Sequence, residues 1–471
     1  MKYVTKTAFA MLVCLLFAFS VNNEAEASGA VYFKVVKEEL PFYSNETGKL
    51  EQKGTLLKDM VLKAERSYGA NWYEIKVGGQ MRYVAKYGTV VSTSGPSFTQ
   101  GKTASKVALN VEASVLENVN GKLVPVGRLA KGEQVESASL PSANWFVISF
   151  AGKKGYIYKT NVTSLPMPRD VVNPYQNYSY EQMVKDIQTL KMIYPDLIDY
   201  KTIGRSVDGR DIYAVKIGKG KVEMTGNGSH HAREHITTNL VMEMLDQYAL
   251  AYHNNTNISS YSVRKQLNAV TMWFVPMVNP DGVTLVQKGH RSAKNPSYVV
   301  KLNNGSTNFN AWKANIRGVD LNRQYPANWA NIVGDPGRPG PRNYKGPSAF
   351  SEPETQAMRD FTRSHRFESE FAFHSSGQIL YWHYKQTGAL LSESIMLAKK
   401  ISRMTGYQMV PAKSNPSGGG YTDWFIEEFK RPGFTPEVSP YVGDRPVPIS
   451  NFNDIWRQNK AIMLMVADHV S

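Results

Sequence analysis

The sequence predicts a multidomain protein in which two small all-β modules precede a larger α/β domain with a mixed sheet. Three observations support this fold class. The chain has 471 residues, more than one ordinary domain needs. Residues 29–165 contain short runs of alternating apolar residues separated by Gly, Asn and Ser turns, as in β-rich domains. Beyond residue 175, strand-like runs alternate with helical stretches, which is the pattern of an α/β fold.

Residues 1–27 are predicted to be a secretory signal peptide. Two lysines form a positive start, residues 8–19 form an apolar core, and Ala25-Glu26-Ala27 offers a small-x-small cleavage site. The apolar core is too short to span a bilayer, so no membrane span is expected. The only cysteine, Cys14, lies in this segment, so the mature protein contains neither disulfides nor cysteine ligands. We expect a secreted bacterial protein.

The composition indicates a globular protein with a basic surface. Hydrophobic residues make up 42% of the chain and charged residues 20%, and the net charge is +15. No basic run dominates, which argues against a nucleic-acid partner. A diffuse positive surface attracts anionic polymers such as those of a cell wall. Salt screens this electrostatic attraction. Solubility alone is the alternative explanation of this charge.

Residues 29–165 contain an internal repeat. Three landmarks recur at a constant offset of 73 residues, which indicates two copies of one module. The landmarks are Gly48-Lys49-Leu50 with Gly121-Lys122-Leu123, Asn71-Trp72-Tyr73 with Asn144-Trp145-Phe146, and Tyr83-Val84 with Tyr156-Ile157. We expect each Trp and the aromatic residue beside it to form the core of its module.

The two copies resemble the bacterial SH3-like barrels that are appended to cell-wall hydrolases. The resemblance rests on the Asn-Trp-aromatic motif and the following Tyr-Val or Tyr-Ile pair. It implies one SH3-like module at 29–92 and a second at 103–165, with a flexible joint at 92–103. In that family such modules tether an enzyme to peptidoglycan or serve as spacers. A proline-rich boundary at 166–174 separates them from the rest.

Beyond this boundary the elements follow from apolar periodicity. A helix is predicted where apolar residues recur at helical spacing, and a strand where an apolar run is short. The predicted helices are 180–193, 236–252, 352–365, 392–405 and 454–469, and the predicted strands are 211–217, 269–278, 371–373 and 433–435. Asn279-Pro280-Asp281-Gly282 is interpreted as a turn. The alternation predicts a mixed sheet with helices on both faces.

Potential metal ligands are concentrated in residues 228–235, Gly-Ser-His-His-Ala-Arg-Glu-His, between a strand-like run and a helix. Imidazole and carboxylate groups bind Zn²⁺, and a three-residue offset lets both point the same way. Alone, this stretch could equally be a solvated helix start. Four later polar segments accompany it: Arg-Gly-Val-Asp-Leu-Asn-Arg at 317–323, Phe-His-Ser-Ser-Gly at 373–377, a glycine-rich loop at 415–424, and Phe-Thr-Pro-Glu-Val at 434–438.

Together these motifs resemble those of the zinc carboxypeptidases of the carboxypeptidase A type, over residues 175–471 and in that family's order. The resemblance implies an α/β catalytic domain with one zinc ion. It makes His231, Glu234 and His374 the ligands, with water in the fourth position. Glu437 matches the family's general base, and Arg317 matches the arginine that stabilises the oxyanion.

The same resemblance implies a substrate-binding set. Asn322 and Arg323 match the pair that grips a terminal carboxylate, and Arg233 is expected to line the substrate channel. The family's mobile tyrosine is missing, because position 415 is Asn. Tyr421 is therefore either a shifted substitute or a specificity residue, and the second is favoured. Thr422, at the position that reads the terminal side chain, argues against a strict preference for basic residues.

The motifs allow three other interpretations. His231-Ala-Arg-Glu234-His235 fits the inverted His-x-x-Glu-His motif, with both histidines as ligands and Glu234 as base. It leaves Arg317, His374 and Glu437 unexplained. His230 could replace His231 as a ligand. An inactive wall-binding module is disfavoured, since every ligand and base position is filled.

Two substrate hypotheses follow from the resemblance. The first is hydrolysis of peptidoglycan stem peptides next to a diamino acid, as in the family's γ-D-glutamyl-diamino acid peptidases. Predicted export, the two wall-module resemblances and the net charge of +15 favour it. The second is a general exported metallocarboxypeptidase that removes C-terminal residues from ordinary peptides.

Overall fold

The structure, a computed structural model, describes residues 31–45, 48–99, 105–137, 144–412 and 418–471. The predicted signal peptide lies outside the described residues. The chain divides into two compact units, with the boundary between Met167 and Pro168. In the described part, no helix is both long enough and apolar enough to cross a membrane.

The N-terminal unit is built from β-strands, because its sequence alternates apolar and polar residues between tight turns. Its strands are β1 (Val31–Val35), β2 (Glu39–Ser44), β3 (Glu51–Leu57), β4 (Val61–Ala64), β5 (Arg66–Tyr68), β6 (Trp72–Val77), β7 (Gln80–Ala85), β8 (Thr89–Ser92), β9 (Ser105–Leu109), β10 (Ala113–Val119), β11 (Lys122–Leu129), β12 (Gln134–Ser137), β13 (Trp145–Phe150), β14 (Lys153–Tyr158) and β15 (Val162–Leu165).

The sequence repeat is also a structural repeat, because β6, β7 and β8 recur 73 residues later as β13, β14 and β15. The two copies join in one closed ring of strands, in the order β13-β14-β10-β11-β3-β2-β7-β6 and back to β13. Where the copies meet, Thr55 faces Arg128 and Val77 faces Phe150. Each of these residues faces its own equivalent, so an approximate two-fold axis relates the copies.

One hydrophobic core fills this unit and draws on both copies. Phe42 and Phe150, one from each copy, meet with ring centroids 6.1 Å apart. Arg82 and Glu133 form a buried ion pair between the copies, with a shortest N–O distance of 2.6 Å. The predicted β-rich region before an α/β domain is thus confirmed, and its two copies share one core.

The C-terminal unit combines helices and strands. Its helices are α1 (Tyr180–Ile193), α2 (Ile236–Asn254), α3 (Val263–Ala269), α4 (Pro280–Lys288), α5 (Pro296–Leu302), α6 (Pro353–Arg363), α7 (Gly388–Thr405), α8 (Tyr421–Phe429), α9 (Phe452–Asn459) and α10 (Ile462–Val470). Its strands are β16 (Ile198–Arg205), β17 (Asp211–Ile217), β18 (Val222–Gly228), β19 (Asn257–Ile258), β20 (Tyr261–Ser262), β21 (Val270–Val275), β22 (Phe367–Ser375), β23 (Ile379–Tyr381), β24 (Gln408–Met409) and β25 (Gly433–Val438).

Eight of these strands form a mixed sheet in the order β16-β17-β21-β18-β22-β25-β23-β24. The four central strands, β21, β18, β22 and β25, run parallel. Successive residues of β21 point to opposite faces: Met272 and Phe274 pack in one core, and Trp273 and Val275 in another. Helices contribute to both cores, so the predicted mixed sheet with two covered faces is confirmed.

One prediction in this unit was wrong. Asn279-Pro280-Asp281-Gly282 does not form a simple turn but begins helix α4. The Asn279 side chain accepts a hydrogen bond from the Gly282 amide at 3.0 Å, and Pro280 occupies the first helical turn, where its missing amide hydrogen costs nothing.

Candidate active site

The site lies where three neighbouring parallel strands, β18, β22 and β25, end at one edge of the sheet. After β18 the chain continues to β21 on one side, and it later returns to β22 on the other side. Such a reversal of strand order opens a crevice beyond the carboxyl ends of the strands, where ligands bind in open α/β sheets. His231 and Glu234 follow β18, while His374 and Glu437 lie near the ends of β22 and β25.

Three buried side chains converge in this crevice. The Nδ1 atom of His231 lies 2.7 Å from one oxygen of Glu234, and the Nδ1 atom of His374 lies 2.8 Å from the other. The two Nδ1 atoms are 3.1 Å apart. Two imidazoles and one carboxylate in this arrangement match the donor set of a catalytic zinc site, which leaves a further position open. The residues present therefore fit a zinc ion.

A carboxylate that the sequence analysis did not single out orients the first of these histidines. Asp320 is fully buried, and its Oδ1 atom lies 3.2 Å from the Nε2 atom of His231. Metal-binding histidines usually donate their second ring N–H to such a carboxylate, which fixes the tautomer. Asp320 lies inside the polar segment 317–323, but nothing in the sequence marks it as a partner of His231.

Burial and mutual charge set the protonation of this cluster. Burial alone would raise the pKa of Glu234, but His231 and His374 together hold it well below its usual range. Burial would lower the pKa of His231, yet the charge of Glu234 raises it. Burial lowers the pKa of His374. An ionised Glu234 between two imidazoles is the state that a divalent cation requires.

The structure separates His230 and His235 from this cluster. The Nε2 atom of His230 lies 3.0 Å from the hydroxyl oxygen of Tyr325. His235 lines a different cleft together with Gln176 and Asn239. Among the described residues, His231, Glu234 and His374 form the one group of this kind, so the geometry disfavours the inverted His-x-x-Glu-His motif.

Glu437 lies beside the cluster. It faces His374 directly in the pairing of β22 with β25. Burial, and then the charge of Glu234, raise the pKa of Glu437 to about 8. A carboxyl group with a pKa near neutrality can both accept and release a proton during a reaction.

Lys313 is a cation that acts on this cluster, and Arg233 also acts on Glu437. The backbone of Trp312 and Lys313 accepts hydrogen bonds from the amides of Arg233 and Ala232, both at 3.0 Å, within the ligand loop. The positive charge of Lys313 lowers the pKa values of His374 and Glu437. The sequence analysis missed Lys313, because only the fold brings it to the ligand loop.

Arg317, which was expected to stabilise the oxyanion, has a different environment. Its side chain is 53% exposed and lies 3.6 Å from a carboxylate oxygen of Glu352. That ion pair directs the guanidinium towards Glu352. The role of Arg317 stays a prediction, while the charge of Lys313 acts on His374 and Glu437.

Comparison with known proteins assigns the chain to a family. The family model described as zinc carboxypeptidase matches residues 183–461. This chain belongs to the zinc carboxypeptidase family. The matched residues include the cluster of His231, Glu234 and His374 as well as Glu437, so the resemblance seen in the sequence is confirmed. The protein is a hydrolase of this family and uses zinc.

Individual proteins are similar to this chain. The γ-D-glutamyl-L-diamino acid endopeptidase 1 of Lysinibacillus sphaericus is 41% identical over 298 residues, covering 62% of this chain and 73% of the relative. The uncharacterized protein YqgT of Bacillus subtilis (strain 168) is 33% identical over 292 residues, covering 61% of this chain and 76% of that protein. Bovine thrombin-activatable fibrinolysis inhibitor, solved with tick carboxypeptidase inhibitor, shares the fold, with a TM-score of 0.52, 21% identity and coverage of 63% and 98% of the two chains.

Next to this zinc carboxypeptidase site lie the residues expected to hold a substrate carboxylate. The Asn322 amide donates to Asp320 at 3.1 Å, so the carboxylate that orients His231 also anchors this loop. The Asn322 side-chain oxygen accepts from the Tyr421 amide at 3.0 Å. Burial raises the pKa of Asp423 to about 7, although the positive charge of Arg323 lowers it. Arg233 forms an ion pair with Asp444 at 2.8 Å.

The predicted specificity residues have different environments. Tyr421 is fully buried, and its hydroxyl lies 3.0 Å from the Thr362 hydroxyl, so the geometry favours a packing role and its substrate role stays a prediction. Thr422 retains 7% exposure and lies against Thr435. Asn415 lies outside the described residues. Tyr381, which the sequence analysis missed, is 46% exposed, and the charges of Glu437 and Arg323 both act on its hydroxyl.

Proposed function

We propose that this protein is a secreted peptidase that hydrolyses the γ-D-glutamyl–diamino acid bond of peptidoglycan stem peptides. The observation that carries the proposal is the 41% identity to the γ-D-glutamyl-L-diamino acid endopeptidase 1 of Lysinibacillus sphaericus. Export predicted from residues 1–27 and the net charge of +15 add support, because the cell wall is extracellular and anionic.

The geometry supports the proposed catalytic roles. His231, Glu234 and His374 would hold the zinc ion, and Asp320 would fix the orientation of His231. A bound zinc ion polarises the scissile carbonyl and acidifies the attacking water. Glu437 takes a proton from this water and passes it to the departing amine, for which its raised pKa suits it.

Cationic and polar side chains near the zinc ligands are assigned to stabilising and binding the substrate. The Lys313 ammonium would stabilise the negative charge that develops on the carbonyl oxygen. Asn322 and Arg323 would bind a free carboxylate of the substrate, because a guanidinium fork matches both carboxylate oxygens. Arg233, held by Asp444, would line the channel.

The N-terminal unit is proposed to act outside the reaction. Its two copies, at 29–92 and 103–165, would be SH3-like modules that tether the enzyme to peptidoglycan. Deleting residues 29–165 should weaken sedimentation with purified wall but spare hydrolysis of small soluble substrates. Undiminished wall binding after this deletion would contradict the tether.

Parallel digestion of purified sacculi and of peptides with free C-termini tests the proposed substrate. Mass spectrometry should identify fragments cut between γ-D-glutamate and the diamino acid. Release of C-terminal residues from ordinary peptides, with intact sacculi, would instead support the general metallocarboxypeptidase alternative. The variant Glu437→Gln, which keeps all three ligands, controls for contaminating peptidases.

A further inference from the structure

Glu370 is a buried carboxyl group without an ion-pair partner among the described residues. Its side chain is fully buried, and in the described part of the chain neither carboxylate oxygen makes a hydrogen bond of good geometry. Burying an ionised carboxylate is costly unless it is paired and hydrogen-bonded. Burial raises the pKa of Glu370 to about 8, although the nearby Thr422 side chain lowers it, and the charge of Asp423 adds to the rise while the Phe434 backbone opposes it. A buried carboxyl group that carries this desolvation cost is a candidate for binding a ligand that supplies the missing positive charge.

The placement of Glu370 connects it to the reaction site. It lies on β22 four residues before His374. Alternate residues of a strand share a face, so Glu370, Ala372 and His374 point to the same side of the sheet. The distance along the strand is about 13 Å at the usual rise per residue, so Glu370 lies deeper than the metal ligands.

A glycine in the neighbouring strand leaves space for this carboxyl group. Gly433 pairs with Glu370 on β25. A Cβ atom on Gly433 would lie 2.7 Å from the Glu370 Oε1 atom and 3.1 Å from a methyl carbon of Thr422. The glycine therefore lets Glu370 and Thr422 approach the same point, which a larger residue would occupy.

Two threonine hydroxyls separate Glu370 from the substrate side. The Oγ1 atoms of Thr422 and Thr435 are 2.7 Å apart. Both residues keep 7% exposure, whereas Glu370 has none. Thr435 precedes Glu437 by two residues on the same face of β25, and Thr422 follows Tyr421, whose amide donates to Asn322. A side chain that passes between the proton-transfer group and the carboxylate-binding loop thus reaches the threonines first and Glu370 behind them.

We propose that Glu370, together with the hydroxyls of Thr422 and Thr435, binds the side-chain ammonium of the diamino acid that leaves with the new amine. An ammonium has three donors and no acceptor, and the two hydroxyls and the carboxylate offer the oxygen acceptors that it needs. The nearby Asp423 already has a cation, Arg323, acting on it. No cation of the described residues acts on Glu370, so an incoming ammonium is its matching charge. The proposal rests on the proposed function for the identity of the leaving residue.

Substrates that differ only at the ammonium test this inference. Lysine and norleucine share the same carbon chain, and norleucine lacks the ammonium. We compare kcat/KM for γ-D-glutamyl-L-lysine and γ-D-glutamyl-L-norleucine, and for the α-linked pair benzoylglycyl-L-lysine and benzoylglycyl-L-norleucine. The wild type should prefer lysine by about 10²-fold or more, because an unpaired buried carboxylate penalises the analogue without the ammonium. Glu370→Gln should reduce this preference below about fivefold, mainly through slower cleavage of the lysine substrate.

Glu243→Gln is the matched control. Glu243 is also buried, has an unpartnered oxygen and a pKa raised by burial to about 8, but it lies in α2, where the charges of Asp246 and Asp170 act on it. This variant should keep the preference of the wild type. Inhibition constants of free L-lysine and L-norleucine with the wild type give a readout that needs no variant, and lysine should bind at least about tenfold more tightly.

The outcomes separate the two proposals. Equal cleavage of the two γ-linked substrates by the wild type would overturn the role of Glu370 and leave the proposed function standing. No cleavage of γ-linked substrates, with a Glu370-dependent lysine preference on the α-linked pair, would overturn the proposed bond and support ammonium binding. A lysine preference that survives in Glu370→Gln would overturn the assignment to Glu370.

Discussion

Replacing Lys313 by alanine removes the cation whose charge acts on His374 and Glu437. Loss of one electrostatic contact to a developing oxyanion costs about 10²–10³ in kcat. We expect a loss of this size for Lys313→Ala. Lys313→Arg keeps the charge, and a recovery of at least about tenfold over alanine would separate charge from packing.

Arg317→Ala is the matched comparison for this experiment. The Arg317 side chain is 53% exposed and is paired with Glu352 at 3.6 Å. Exposed ion pairs contribute at most about 1 kcal/mol, so we expect activity within about fivefold of the wild type. The two alanine variants are compared by their kcat on a soluble γ-D-glutamyl-diamino acid substrate. The zinc content is measured on the same samples. A larger loss in Arg317→Ala than in Lys313→Ala would refute the reasoning and restore the interpretation made from the sequence.

Three further changes probe other parts of the molecule. Glu437→Gln should retain stoichiometric zinc but lose about 10²–10⁴ in kcat, and turnover equal to the wild type would exclude Glu437 as the base. Asp320→Asn should weaken zinc binding about 10–100-fold in competition with a chelator, since His231 loses its orienting acceptor; unchanged affinity would contradict that role. Burial raises the folded-state pKa of Glu243 to about 8, above the unfolded value of 4.5. The folded protein therefore binds the extra proton between these values, and stability should fall as pH rises through this range. Glu243→Gln should flatten the decline in the melting temperature, and an unchanged slope would count against this assignment.

The metal ligands could be predicted because they lie in short motifs that resemble those of the zinc carboxypeptidases. His231 and Glu234 lie three residues apart, and His374 directly follows an apolar run. Lys313 and Asp320 carry no such signal, since only the fold brings them to the ligand loop. A lysine or an aspartate is ordinary in sequence, and its position beside the ligand loop becomes visible only in three dimensions.

Strand β18 was missed because its sequence breaks the strand pattern. It ends in Gly226-Asn227-Gly228, where neither apolar alternation nor β-branched residues occur. The close packing explains the glycines: a Cβ atom on Gly228 would lie 3.0 Å from the Thr237 carbonyl oxygen and 3.1 Å from that of Pro276. In the strand that leads to the ligand loop, glycines with low strand propensity therefore allow the backbones to pack closely. Local sequence rules are often broken in this way at functional sites.

The N-terminal unit shows how a repeat can be evident in sequence while its assembly is not. The constant offset of 73 residues revealed two copies, but pairing between β3 and β11 and between β6 and β13 depends on strand edges that no short motif marks. A single copy would leave these edges unpaired and would remove half of the shared core. The two copies therefore act as one folding unit, and an experiment on wall binding must remove or keep them together. Deleting one copy would expose apolar residues such as Phe42 or Phe150 and would report on misfolding, not on the loss of one binding site.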